Sequence, residues 1–201
     1  MVQHTRRQAL IGATSVAILA GVSPAWALDS SGAKAHVSGT ISELKALLQS
    51  AGSGASRAPE LKRIMETRSD MPLIAKFSAG RAWRDMNTDQ QGRFVSAFSH
   101  YISVVYARRF DEYSGDPQID VGRTRDAGRK GVLVETPITL PGGEKVAVEW
   151  LVNDRAGPTK IYDMLIEGIS MVVTQREEIG QMLARRNDNV EDLIRDLASK
   201  T

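Results

Sequence analysis

A single run, KIYDMLIEGISMVVTQREE at residues 160–178, has to be strand at one end and helix at the other. Ile161, Met164, Leu165 and Ile166 are apolar and are interrupted by Tyr162 and Asp163, the pattern of a strand of mixed polarity. Gly168 breaks the run. Ser170 suits a helix cap, because its hydroxyl accepts from an orphan amide of the first turn. From Met171 the pattern is helical and charged, with Arg176, Glu177 and Glu178. So sharp a passage leaves the rest of the chain to supply partners for the strand.

Those partners lie directly upstream. Val132, Val134, Thr136, Ile138 and Leu140 share one face of a predicted strand, Pro141-Gly142-Gly143 turns the chain, and Val146, Val148, Trp150 and Val152 share one face of the next. A short strand is expected at 118–122, and the charged stretch RTRDAGRK at 123–130 reads as a connection. These segments make an antiparallel meander.

Helical spacing precedes the meander at 34–48, after a frayed start at 28–33. A flexible break at 51–58 leads to a second helix at 59–67, where Pro59 suits the first turn. Asp70 caps a short third segment that stops at Gly80. The longest helix runs from 88 to about 112, opened by Thr88 and Gln91 as a capping box. Its broad apolar face carries Phe94, Phe98, Tyr101, Ile102, Val105 and Tyr106 and is read as the cover of the sheet. Helices at about 171–186 and at 188–199, the latter capped by Asp188, close the chain. The fold class expected is α+β: one curved antiparallel sheet of about four strands, wrapped by N- and C-terminal helices around an apolar cavity.

The first 27 residues differ in kind. Arg6 and Arg7 precede an uncharged run at 9–22 and the small-residue site Pro24-Ala25-Trp26-Ala27, the layout of an export signal. The run is shorter than the roughly 20 residues that span a bilayer. Thr5-Arg6-Arg7-Gln8-Ala9-Leu10 resembles a twin-arginine signal, so either that route or general secretion serves. Residues 28–201 then form a single domain. Cleavage removes two arginines and no acids, so 26 basic residues become 24 against 24 acidic ones. A formally neutral protein has no global field for nucleic acid. The chain has no cysteine, which rules out disulfides, thiol catalysis and cysteine-ligated metals.

No nucleophile elbow, phosphate-binding loop, dinucleotide fingerprint or zinc-protease motif occurs. His36 and His100 sit alone on separate helices and suggest no metal site. Asp163 is the acid placed within an otherwise apolar strand. It is read either as a structural acid, paired with Arg176 or with backbone amides, or as the general base of an exported isomerase or hydrolase, with Tyr162 or Tyr106 nearby.

Two sets of residues carry a family resemblance. One is Asp163, then Glu167-Gly168-Ile169-Ser170, then Arg176; the other is Gly80, Trp83-Arg84, Gln91, Phe94, Phe98, Tyr106 and Tyr113, with the 132–150 hairpin between the two sets. In order and spacing the chain resembles the MlaC family, periplasmic phospholipid-binding auxiliary components of ABC-type lipid transport systems, also called the toluene-tolerance family. It departs where the family usually has an aromatic, at Thr159 or Lys160, and a tyrosine, at Gln175. The resemblance implies a soluble periplasmic carrier that moves phospholipid between an inner-membrane ABC transporter complex and an outer-membrane lipoprotein complex. Phospholipid is then cargo, with no cofactor, no metal and no catalysis; a hopanoid-like lipid is the other cargo considered.

Two acyl chains hold roughly 28 methylenes, whose exposure at about 0.8 kcal/mol each would cost on the order of 20 kcal/mol, so a carrier must engulf them. The tail contacts expected are Phe98, Tyr101, Ile102 and Val105 on the long helix and Val132, Val134, Val146, Val148 and Trp150 on the strands. Met164, Ile166, Ile169 and Met171 complete the set, while Asp163, Gly168, Ser170 and Arg176 hold the strand-to-helix junction. Val148→Arg is expected to abolish lipid co-purification without unfolding the protein.

Overall fold

A computed structural model describes residues 28–111, 117–155 and 157–201. The expected export segment at 1–27, and Tyr113, lie outside the described residues. Five helices come first: α1 (Ser30–Gln49), α2 (Gly54–Arg68), α3 (Met71–Ala79), the single turn α4 (Ala82–Asp85) and α5 (Thr88–Asp111). Eight short strands follow: β1 (Gln118–Ile119), β2 (Thr124–Asp126), β3 (Val132–Glu135), β4 (Ile138–Thr139), β5 (Lys145–Val146), β6 (Val148–Asn153), β7 (Lys160–Ile166) and β8 (Ile169–Ser170). Helices α6 (Met171–Ala184) and α7 (Val190–Ala198) end the chain. The class is α+β, with two open antiparallel sheets in place of the one expected.

Proline chemistry accounts for the second sheet. The strand expected to run through 132–140 is cut at Pro137, which has no N–H to give to a ladder. Its first half, β3, joins the main sheet in the order β2-β3-β6-β7-β8; its second half, β4, pairs with β1 and β5. The charged stretch expected to be a connection supplies the edge strand β2, where Arg125 reaches across to pair with Glu149. A charged edge deters pairing with other chains.

Caps place several helix ends away from their expected positions. Asp29 accepts from the Gly32 amide at 2.6 Å, so α1 begins at once where a frayed segment was expected. The capping box of α5 is Asn87 with Gln90, each side chain accepting from the other's amide at 2.9 Å, one residue before Thr88 and Gln91. Gln91 instead donates to the Trp83 and Met86 carbonyls. Asn189 rather than Asp188 caps α7, because Asn187 and Asp188 take the left-handed conformations, φ 51° and 60°, that turn the chain between the last two helices.

Helix α2 runs straight through Pro59 and starts at Gly54, five residues before the expected start. A Cβ on Gly54 would lie 2.5 Å from the Ala107 carbonyl oxygen, so glycine permits α2 to close onto α5. The sheet is covered by α1, whose Ala33, Val37 and Ile41 pack on Val132, Val134, Val152 and Ile161. Helix α5, expected to be that cover, buries Phe94, Phe98 and Ile102 against α3, α6 and α7. Among the described residues no helix is long and apolar enough to cross a membrane.

Candidate functional site

The site is built outward from an irregularity in β7. Val152 stands opposite Ile161 and Leu151 opposite Asp163, so Tyr162 is the extra residue of a β-bulge. The bulge shifts the strand's phase. Ile161, Met164 and Ile166 thereby come opposite Val152, Trp150 and Val148 and share their face, which an unbroken period of two would forbid. The Tyr162 hydroxyl donates to the Lys130 carbonyl, outside that row.

Beyond the part of this face that α1 covers, the helices and the sheet do not close on one another. A cavity of about 290 Å³ remains between them. The sheet contributes Trp150, Ile161, Met164 and Ile166 to its wall; α2 and α3 contribute Leu61, Ile64, Met65, Met71 and Ile74. Leu44 of α1, Ile102, Tyr106 and Phe110 of α5, and Met171 and Val172 of α6 complete the apolar lining. Four of the chain's seven methionines meet here, Met65, Met71, Met164 and Met171. Flexible thioether side chains adapt to irregular contents.

Polar groups on the wall are few and mostly engaged. Arg68 pairs with Glu43, and its carbonyl lies 2.9 Å from His36 Nε2. The Arg109 guanidinium lies over the Tyr106 ring, 5.4 Å from its centroid. Burial pushes the Tyr106 phenol above its ordinary value of 10.0. Gln175 is 4% exposed.

The strand-to-helix passage closes one end of the cavity. Glu167 and Gly168, at φ 51° and 77°, form a two-residue turn with both φ values positive, so Ile169 folds back to pair with Ile166. Ser170 Oγ then accepts from the Val173 amide at 3.1 Å as the cap of α6 and donates to Asp163 Oδ2 at 2.6 Å. Asp163 Oδ1 accepts from the Met164 amide at 2.8 Å and the Val172 amide at 3.1 Å. Arg176, weighed from sequence as the partner of Asp163, instead lies 5.0 Å over the Phe77 ring.

The family model described as MlaC protein matches residues 35–199. This chain belongs to the MlaC family. A solved structure of a phospholipid-binding protein from Ralstonia solanacearum, in complex with a phospholipid, is similar in fold: the TM-score is 0.68 at 19% identity, over 84% of this chain and 96% of that one.

Of the tail contacts expected from sequence, this MlaC-family chain places Ile102, Trp150, Met164, Ile166 and Met171 on the cavity wall. The others stand off it. Phe98 stacks on Phe94 at 5.8 Å inside the helical core, and Tyr101 donates to Glu178 at 2.6 Å. Val105 packs against that same core. Val132 and Val134 face α1, and Val146 pairs with Ile138 in the small sheet. Val148 is buried, 4% exposed, opposite Ile166, so an arginine there would test folding rather than the cavity. Ile169 is 60% exposed. The lining from α1, α2 and α3 was visible in the sequence only as apolar stripes, which a solid core would also produce.

Proposed function

We propose that the chain is a phospholipid carrier, with acyl tails in the cavity between the helices and the sheet and the head group toward water. The observation that carries this reading is an apolar cavity lined from both layers in a chain of the MlaC family. The phospholipid complex of the similarly folded Ralstonia protein supports it. We place the carrier in the periplasm, delivered by the segment at 1–27 and passing lipid between an inner-membrane ABC transporter complex and an outer-membrane lipoprotein complex. Phospholipid is cargo here and no cofactor is invoked. A catalytic role for Asp163 is disfavoured, because both its oxygens already accept hydrogen bonds at the junction.

Cavity size sharpens the proposal. An apolar cavity of about 150 Å³ accommodates benzene, with six carbons, so about 290 Å³ accommodates roughly a dozen, one tail rather than two. A two-chain lipid therefore enters by parting the walls. One end is bolted: the Asp70 amide donates to the Ile161 carbonyl at 2.8 Å, and Lys160 Nζ donates to the Glu66 and Thr67 carbonyls. The other end, at Ile166 and Met171, is held by the bonds of Asp163 to the Ser170 hydroxyl and the Val172 amide.

Native mass spectrometry of the purified protein, followed by solvent extraction, tests this. A stoichiometric two-chain lipid is expected, and Met164→Lys, which sets an ammonium on the cavity wall, is expected to come free of it while still folding. A lipid-free mass with no uptake of added phospholipid, or an unchanged lipid load in the variant, would overturn the proposal.

A further inference from the structure

Helices α3 and α6 present a second surface on their sides away from the cavity. Leu73, Phe77 and Trp83 line a groove of about 400 Å³ there, together with Lys76, Arg81, Arg84 and Arg176. Among the described residues, the large apolar side chains left exposed are Leu73 at 45%, Phe77 at 41%, Ile169 at 60% and Val173 at 45%. All four belong to α3 or to the β8–α6 passage. Val173 and Arg176 are three residues apart, so they share a helix face, and Arg176 lies over Phe77. The apolar side chains and the cations thus form one surface.

Among the described residues, four apolar side chains of that surface stay exposed and its cations have no acidic partner. Clustered exposed apolar side chains mark a contact site. Among the described residues, no carboxylate pairs with Lys76, Arg81, Arg84 or Arg176, and neither Asp85 nor Glu177, on the same helices, lines the groove. The groove side chains are aliphatic, aromatic or cationic, with no carboxylate, amide or hydroxyl among them. That composition is the one that settles at a membrane interface, where aromatic and aliphatic groups enter the acyl boundary and cations meet phosphates.

We propose that the α3–α6 face docks on an anionic phospholipid bilayer. Leu73, Phe77, Ile169 and Val173 enter the interface, and the four cations engage lipid phosphates. Because Met71, Ile74, Met171 and Val172 line the cavity from the other sides of these elements, docking brings the cavity wall to the bilayer surface. The inference does not depend on what the cavity holds.

Flotation with vesicles of phosphatidylcholine, with and without phosphatidylglycerol, tests it. Binding is expected on the anionic vesicles alone, and it should fall as salt is raised. Arg81→Gln combined with Arg84→Gln is expected to weaken it by about fivefold per cation removed while leaving the bound-lipid content unchanged. Val173→Ser should weaken it further. A lipid-free Met164→Lys protein should float like the parent, which separates this inference from the carrier reading. No flotation with anionic vesicles, equal flotation with both kinds, or unchanged flotation of the double variant would overturn the proposal and leave the face to a protein partner.

Discussion

Both carboxylate oxygens of Asp163 are occupied, by two backbone amides and the Ser170 hydroxyl, and Ser170 caps the helix from the same hydroxyl. Hydrogen bonds to a charged acceptor contribute about 1.5–3 kcal/mol, so Asp163→Ala is expected to lower unfolding free energy by about 2–3 kcal/mol. Ser170→Ala should cost about 1 kcal/mol as a lost cap. Chemical denaturation of both single variants and the double variant should give less than the sum, because the two residues share one bond. A second residue sets a pH dependence. Burial first, then the nearby Arg68 and Lys160 charges, hold the His36 imidazole below its usual 6.5, against the Arg68 carbonyl bond and Glu43. The unfolded chain therefore takes up a proton before the native one, and stability is lost as pH falls through 6.5. The melting temperature is expected to fall between neutral pH and about pH 5, less so in His36→Gln, as thermal scans would report. Asp163 was legible in the sequence as an acid out of place, with backbone amides as one of the partners weighed for it; which amides was not legible, since that of Val172 meets it only after the chain has reversed at Gly168.

At the scale of elements, close approach matters more than propensity. Replacing a helical glycine by alanine normally stabilises by up to about 1 kcal/mol. Gly92 on α5 has nothing within 4 Å of a built Cβ, and Gly92→Ala should gain about that much. Gly54→Ala should do the reverse, losing about 1–3 kcal/mol, because its Cβ meets the α5 backbone at 2.5 Å and the two helices must part. Urea unfolding of the pair checks both signs. Patterns of period and punctuation located most elements, yet Pro137 and the charged β2 mark where they fell short. A proline inside an alternating run, and charges on a strand, are tolerated only because of where the sheet ends, which is a property of neighbours.

For the whole molecule, the proposed cargo in the cavity would make stability depend on its occupancy. A ligand present at a hundred times its dissociation constant adds about 2.7 kcal/mol to the folded state. For a chain of this size each kcal/mol moves the melting temperature by about 2–4 °C, so stripping the lipid is expected to lower it by about 5–10 °C. Calorimetry before and after extraction, with phospholipid added back, measures the shift. No change on extraction would mean that the tails do not occupy the cavity.

The amino-acid sequence by itself determined the α+β class, the apolar faces of the helices and strands, and the strand-to-helix junction, because these rest on local periodicity and capping chemistry. Tertiary structure alone decided which of those apolar faces border a void. Phe98 and Ile102 are one helical turn apart on α5, yet Phe98 is fully buried in solid core while Ile102 lines the cavity. A bulge at Tyr162 decides likewise that Met164 and Ile166 join Trp150 there. Periodicity records that a side chain avoids water; whether atoms or empty space stand opposite it depends on how elements distant in sequence fail to close.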